Sequence, residues 1–201
     1  MKRTGIFGGT FDPVHTGHVC LARDAMQQIG LDRVIFVPAR LQPFKLDRKT
    51  VSGEERLRML SLAIDGYEGF ETSSYELKSD SISYTYLTMR AMSQQLGDDV
   101  KLYFITGTDT FLKIEKWKNS HEMLTKYSYI IGARPGYRNA ELDTCIADIK
   151  NRYGTEVLTI KNTQHDVSST EIRDILRSGG DLGSLVPEQV ERYIKEHGLY
   201  I

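Results

Sequence analysis

Short runs of β-branched and aromatic residues alternate with amphipathic helical patterns along the 201-residue chain, and this alternation restricts the fold more than any other feature. Strands separated by a helical stretch return to the sheet in the same direction, and the intervening helix covers one of its faces. Thr4-Gly5-Ile6-Phe7 reads as the first strand, followed by helical spacing at Ala22, Ala25, Met26 and Ile29 with Gly30 as the stop. Val34 to Val37 is a compact strand closed by Pro38, and Ala39 to Thr50 reads as a polar surface loop. Ser52 and Glu55 have capping-box spacing ahead of a helix with Leu57, Leu60 and Ile64 on its apolar face. Phe70 to Leu77 reads as a strand, and a helix starts near Ser83-Tyr84-Thr85. Leu102 to Ile105, Tyr127 to Ile131 and Glu156 to Ile160 are further strands, before helices over Ser169–Arg177 and Pro187–His197. These elements predict an α/β fold: a single Rossmann-like, doubly wound parallel sheet with helices on both faces. With no repeat or long linker, residues 1–201 read as one domain.

Composition narrows the function classes. A net charge of −1 argues against a broad basic footprint for nucleic acid, but leaves room for a small cationic pocket. Cys20 and Cys145 are too few for a disulfide framework, which implies a reducing compartment. The chain turns glycine-rich at Gly5, Gly8 and Gly9 before a signal-peptide core appears, and no stretch reaches the ~20 apolar residues that span a bilayer. The expected location is cytoplasmic.

The junction of the first strand and first helix carries the densest chemistry: Gly8-Gly9-Thr10-Phe11-Asp12-Pro13-Val14-His15-Thr16-Gly17-His18. In an open α/β sheet, ligands bind beyond the carboxyl ends of strands, which is where this segment lies. Gly8 and Gly9 remove side chains where a ribose or phosphate could approach the backbone. His15 and His18 share a face of the opening turn, where free amides and the helix dipole favour an anion. Neither G-x-G-x-x-G nor a Walker loop is present. Zinc on His15, His18 and Cys20 is disfavoured because Cys20 points off the histidine face.

A second helix start, Val167-Ser168-Ser169-Thr170-Glu171-Ile172-Arg173, has capping-box spacing at Ser168 and Glu171. Arg173 has no such explanation: a cation in the first turn opposes the dipole by ~0.3–1 kcal/mol, a cost that an anion docked there removes. Two helix starts with cations describe a polyphosphate site.

The string from Gly8 to His18, with Ser168-Ser169-Thr170-x-Ile172-Arg173, resembles the nucleotidylyltransferase superfamily. Ser83-Tyr84-Thr85, Gly107-x-Asp109, Trp117, Arg134-Pro135-Gly136 and the segment from Pro187 to Tyr200 resemble the bacterial nicotinate-mononucleotide adenylyltransferases of NAD synthesis. The likeness runs nearly end to end. It implies that His15, His18 and Arg173 hold ATP phosphates, and that Gly8, Gly9, Thr10 and Phe11 line the adenylate site. Ser169 and Thr170 add phosphate donors, and the helical part from about residue 168 completes the ATP site. By the same resemblance Gly107 and Asp109 contact ribose, Thr85 holds the pyridine end, Trp117 stacks on the pyridine ring and Lys45 reaches substrate phosphate. The family usually reads Pro-His-Lys where this chain has Pro43-Phe44-Lys45.

The implied reaction is in-line attack of the phosphate of nicotinate mononucleotide on the α-phosphorus of ATP, with Mg²⁺ held mainly by ATP oxygens and water. Nicotinamide mononucleotide and phosphopantetheine are alternative acceptors, and a non-catalytic nucleotide sensor is an alternative of another class. The implied partners are ATP and nicotinate mononucleotide, without nucleic acid or membrane, in a monomer or small homo-oligomer.

Overall fold

A computed structural model describes residues 1–41, 50–79, 82–133, 140–161 and 167–200. Its strands are β1 (Lys2–Gly9), β2 (Arg33–Pro38), β3 (Phe70–Thr72), β4 (Val100–Gly107), β5 (Ser128–Ala133) and β6 (Val157–Lys161). The helices are α1 (Thr16–Ile29), α2 (Gly53–Ala63), α3 (Thr85–Leu96), α4 (Thr108–Phe111), α5 (Ser120–Lys126), α6 (Ala140–Tyr153), α7 (Ser169–Arg177) and α8 (Glu188–Glu196). All strand pairs are parallel, in the order β3-β2-β1-β4-β5-β6. The α/β, doubly wound parallel sheet predicted from the alternation is therefore present, with the strand order of the Rossmann fold.

The period of two along each strand divides the core. Phe7, Val34, Phe36, Tyr103, Ile105, Ile130 and Ile160 face one side, where they meet α1, α2, α7 and α8. Ile6, Ile35, Val37, Leu102, Phe104, Tyr129 and Ile131 face the other and meet α3, α5 and α6. A strand apolar on both faces needs cover on both, and the crossover helices supply it. Chain order reverses between β1 and β4, so their carboxyl ends, Gly9 and Gly107, flank the crevice where such sheets bind ligands. Among the described residues no helix is long and apolar enough to cross a membrane.

Local signals behave as physics requires. Gly30 ends α1 in the left-handed conformation with φ 69°, which glycine adopts without penalty. The Ser52 and Ser168 hydroxyls accept the Glu55 and Glu171 amides at 3.1 and 3.2 Å. Three readings change. The strand expected over Phe70–Leu77 ends at Thr72: the Ser73 amide makes the last ladder bond, to the Phe36 carbonyl, and the chain then enters a turn closed from Lys78 to Ser74. Helix α6 is an addition, although Leu142, Ile146, Ile149 and Tyr153 carry helical spacing. Finally, α2 buries Arg56, Met59, Leu60 and Ala63 while Leu57 is only half-buried.

Candidate active site

The site grows from the turn between β1 and α1. His15 caps α1 from an extended conformation, and its backbone N–H donates to His18 Nδ1 at 3.3 Å. Their rings lie 3.7 Å apart, tilted by 31°. Since Nδ1 of His18 accepts, the ring's N–H is on Nε2. Phe11 backs this arrangement edge-on, 4.9 Å from the His18 ring, and is itself buried. Any part of Phe11 in lining a nucleotide site therefore falls to its backbone, which carries a positive φ of 50°.

The two glycines have a protein-internal reason to lack side chains. A Cβ on Gly9 would stand 3.0 Å from the Phe11 ring, and one on Gly8 would stand 3.4 Å from Phe104. Among the described residues nothing stands within 4 Å of where a Gly107 side chain would be. Phe104 continues from beneath Gly8 to the half-buried Trp117, whose ring meets it edge-on at 5.6 Å. One ring thus connects the glycine turn to the tryptophan loop.

The second helix start docks onto the same turn. Ser169 Oγ donates to the Pro13 carbonyl at 3.0 Å, bridging 156 residues of sequence. Arg173 donates from Nη1 to the Asp12 carbonyl and from Nη2 to Thr170 Oγ1, and its Nη1 lies 3.7 Å from Asp12 Oδ2. Arg173 is only 5% exposed. The sequence argument left this arginine without a counter-ion; the structure supplies Asp12, a buried carboxylate from the other segment. Thr10 Oγ1, Asp12 Oδ2 and His15 Nδ1 are buried without hydrogen-bond partners among the described residues, and all three belong to this turn. Buried polar atoms without partners call for an explanation such as an ordered water, an ion or a functional role.

Thr85 opens α3 behind Tyr84, and the Lys118 ammonium lies 4.5 Å from the centre of the Tyr84 ring, which ties the start of α3 to the Trp117 loop. Gly107 caps α4, and Asp109 within it is exposed. Lys45, Phe44 and Arg134-Pro135-Gly136 lie outside the described residues. Sequence reasoning missed Arg56, Glu76 and Tyr200. Arg56 is buried in α2 and donates from Nη1 to the Thr10 carbonyl at 2.7 Å. Glu76 is buried, accepts from Thr88 and has its carboxyl pKa raised by burial. Tyr200 donates to Asp12 Oδ1 at 2.8 Å.

Burial lowers the His15 pKa from 6.5 to about 4, so the ring is neutral near pH 7. Between about pH 4 and 6.5 the unfolded chain binds a proton that the folded chain does not. The stability from this group is complete above pH 6.5 and is lost as pH falls toward 4, a contribution of about 3 kcal/mol. Glu76 acts in the opposite direction, but a comparison with His15→Gln cancels it. Urea midpoints measured from pH 7 to 4.5 should fall more steeply for the unaltered protein than for His15→Gln; equal slopes would remove His15 as the cause.

Residues 6–175 match the family model described as cytidylyltransferase-like. A relative from Clostridium botulinum (strain Alaska E43 / Type E3), named probable nicotinate-nucleotide adenylyltransferase, is 36% identical over 200 residues, covering 100% of this chain and 98% of its own. One of the same name from Thermoanaerobacter sp. (strain X514) is 37% identical over 198 residues, covering 98% and 94%. The chain belongs to the cytidylyltransferase-like family, among its nicotinate-nucleotide adenylyltransferases. Two solved structures of Plasmodium falciparum nicotinic acid mononucleotide adenylyltransferase, complexed with NaAD and with APC, share the fold of this member. Their TM-scores are 0.80 and 0.78 at 20% and 19% identity, each covering 100% of this chain and 98% of the other.

Proposed function

We infer that the chain transfers AMP from ATP to nicotinate mononucleotide, giving nicotinate adenine dinucleotide and pyrophosphate, a step of NAD biosynthesis. The observation that carries this reading is the junction of two helix starts, α1 with its close His15–His18 pair and α7 with Arg173, at the point where strand order reverses. The choice of pyridine substrate draws on the full-length relatives.

The chain acts as one unit, with the part from about residue 168 completing the ATP site. His18 donates from Nε2 and His15 as a neutral ring, with Arg173 adding a fixed positive charge at the same turn; these groups hold the triphosphate. The backbone of Gly8, Gly9, Thr10 and Phe11 lines the adenylate side, and Ser169 and Thr170 stand at the phosphate end. Gly107 and Asp109 face ribose, while Thr85 and Trp117 hold the pyridine. Lys45 reaches the mononucleotide phosphate.

The mononucleotide phosphate is largely dianionic near neutrality, its second pKa being about 6, so no general base is required. One of its oxygens bonds to the α-phosphorus, the bond from that phosphorus to the β-bridging oxygen breaks, and pyrophosphate leaves with the electron pair. The protein's part is to align the two phosphates and to donate hydrogen bonds to the charge that develops. Mg²⁺, when bound, neutralises charge on the phosphate oxygens. Among the described residues no group of three or more His, Cys, Asp or Glu could hold it. Asp12, in the phosphate turn, is engaged by Tyr200, Val51 and Arg173. When bound, the metal would be held mainly by ATP oxygens and water.

The test is pyrophosphate release from Mg-ATP with nicotinate mononucleotide, nicotinamide mononucleotide or phosphopantetheine as acceptor. Release should be fastest with nicotinate mononucleotide, by at least about tenfold in kcat/KM, the range that one buried polar contact supports. A faster rate with either other acceptor overturns the substrate; silence with all three overturns the enzyme.

A further inference from the structure

Residues Thr10 to Asp12 belong to no helix or strand, yet they join β1 to the His15 turn. Side chains from three distant elements hold them. Arg56 of α2 donates to the Thr10 carbonyl at 2.7 Å and, from Nε, to the Val51 carbonyl at 3.3 Å. Arg173 of α7 donates to the Asp12 carbonyl. Tyr200, beyond α8, donates its hydroxyl to Asp12 Oδ1 at 2.8 Å, and the Val51 amide approaches the same oxygen at 3.4 Å.

The two oxygens of Asp12 are treated unequally. Oδ1 has both donors, while the buried Oδ2 has no hydrogen-bond partner among the described residues and stands 3.7 Å from Arg173 Nη1, too far for a hydrogen bond. A carboxylate with an empty oxygen beside a guanidinium will rotate or shift to close that gap unless something restrains it. Tyr200 is that restraint. Its own backbone is held at φ 67°, a conformation that costs a non-glycine residue energy and persists only where surrounding contacts enforce it.

We infer that Tyr200 is a positioning residue for adenylyl transfer: by pinning Asp12 Oδ1 it keeps the carboxylate from closing on Arg173, and so leaves that guanidinium available to the triphosphate. The inference rests on the proposed role of Arg173 toward ATP. Tyr200 touches no reacting atom; it acts through Asp12.

A matched control exists. Tyr193 of α8 donates to Glu55 Oε2 of α2 at 2.6 Å, another tyrosine-to-carboxylate bond from the same end of the chain, but away from the turn. Tyr200→Phe and Tyr193→Phe each remove one hydroxyl and retain the ring. Both should lower Tm by about 2–4 °C. Only Tyr200→Phe should lower kcat/KM for ATP, by about tenfold, with KM for nicotinate mononucleotide unchanged. In an Asp12→Asn background, where the charge that draws Arg173 is gone, adding Tyr200→Phe should change kcat/KM for ATP less than twofold. Kinetics of Tyr200→Phe equal to those of Tyr193→Phe overturn the inference, as does an undiminished effect in the Asp12→Asn background. The double variant also serves if Tyr200→Phe alone folds poorly. Failure of the underlying reading looks different: the unaltered protein would release no pyrophosphate, or Arg173→Lys would leave KM for ATP unmoved.

Discussion

Replacing His18 by alanine is expected to lower kcat about 10²–10³-fold, the cost of losing one preorganised donor to developing charge. The ring's orientation makes the expectation specific. Nδ1 accepts from the His15 amide, so the ring N–H that would serve a ligand is on Nε2. Asparagine can place an acceptor near the Nδ1 position and preserve the helix cap, but it cannot reach the Nε2 position. Glutamine can reach it, at the expense of the cap. Steady-state kinetics of the three variants should therefore rank glutamine above asparagine and alanine in kcat, whereas Tm should rank asparagine above alanine. Phe11 and Phe7 flank the ring at 4.9 and 5.9 Å, so truncation also opens a small space in the wall behind the site. That loss affects stability by ~1–3 kcal/mol and is read separately in thermal unfolding. Turnover of His18→Ala within twofold of the unaltered protein, with the fold intact, would end the assignment of His18 as a phosphate donor.

The parts of this molecule that could be read without coordinates are those whose physics is local. Strand and helix periods, the Gly30 stop and the serine caps at Ser52 and Ser168 depend on neighbours within a few residues, and each appears in the structure. The meeting of the Gly8–His18 turn with the Ser169 helix is not local, but the doubly wound topology brings it about once strand order is known. What stayed hidden is the polar network beneath the turn. An arginine in an amphipathic helix reads as solvent-facing, and nothing in the spacing of α2 announces that Arg56 is 2% exposed. Its burial follows from an unpaired carbonyl at Thr10, 46 residues away, which only the fold can reveal. Asp12 likewise sits in plain view in the motif, but its partners come from residues 51, 173 and 200. The strand predicted through Leu77 stops at Thr72 because the chain turns between Ser74 and Lys78, just past the last bond to β2.

Arg173→Met should produce the largest loss of stability of any single change at the site. Methionine keeps much of the aliphatic volume but removes the charge beside a carboxylate that is 2% exposed, and it removes the donor to the Asp12 carbonyl. Leaving one member of a buried ion pair uncompensated costs about 3–5 kcal/mol, which lowers Tm by roughly 6–20 °C for a chain of this size. Adding Asp12→Asn to Arg173→Met removes the orphaned charge, so the double variant should recover at least about half of the lost stability. Stability and catalysis then separate. If Arg173 also neutralises charge on the triphosphate, pyrophosphate release by the double variant, assayed well below its Tm, stays down by about 10²-fold or more, because neither methionine nor asparagine replaces the cation. Arg173→Lys sharpens the distinction. It keeps the charge but loses the forked donor geometry, and should retain more stability than methionine while still falling well below the unaltered rate. A double variant that regains stability and rate together would reduce Arg173 to a structural partner of Asp12, and with it would go the requirement that α7 contribute a cation to the ATP site.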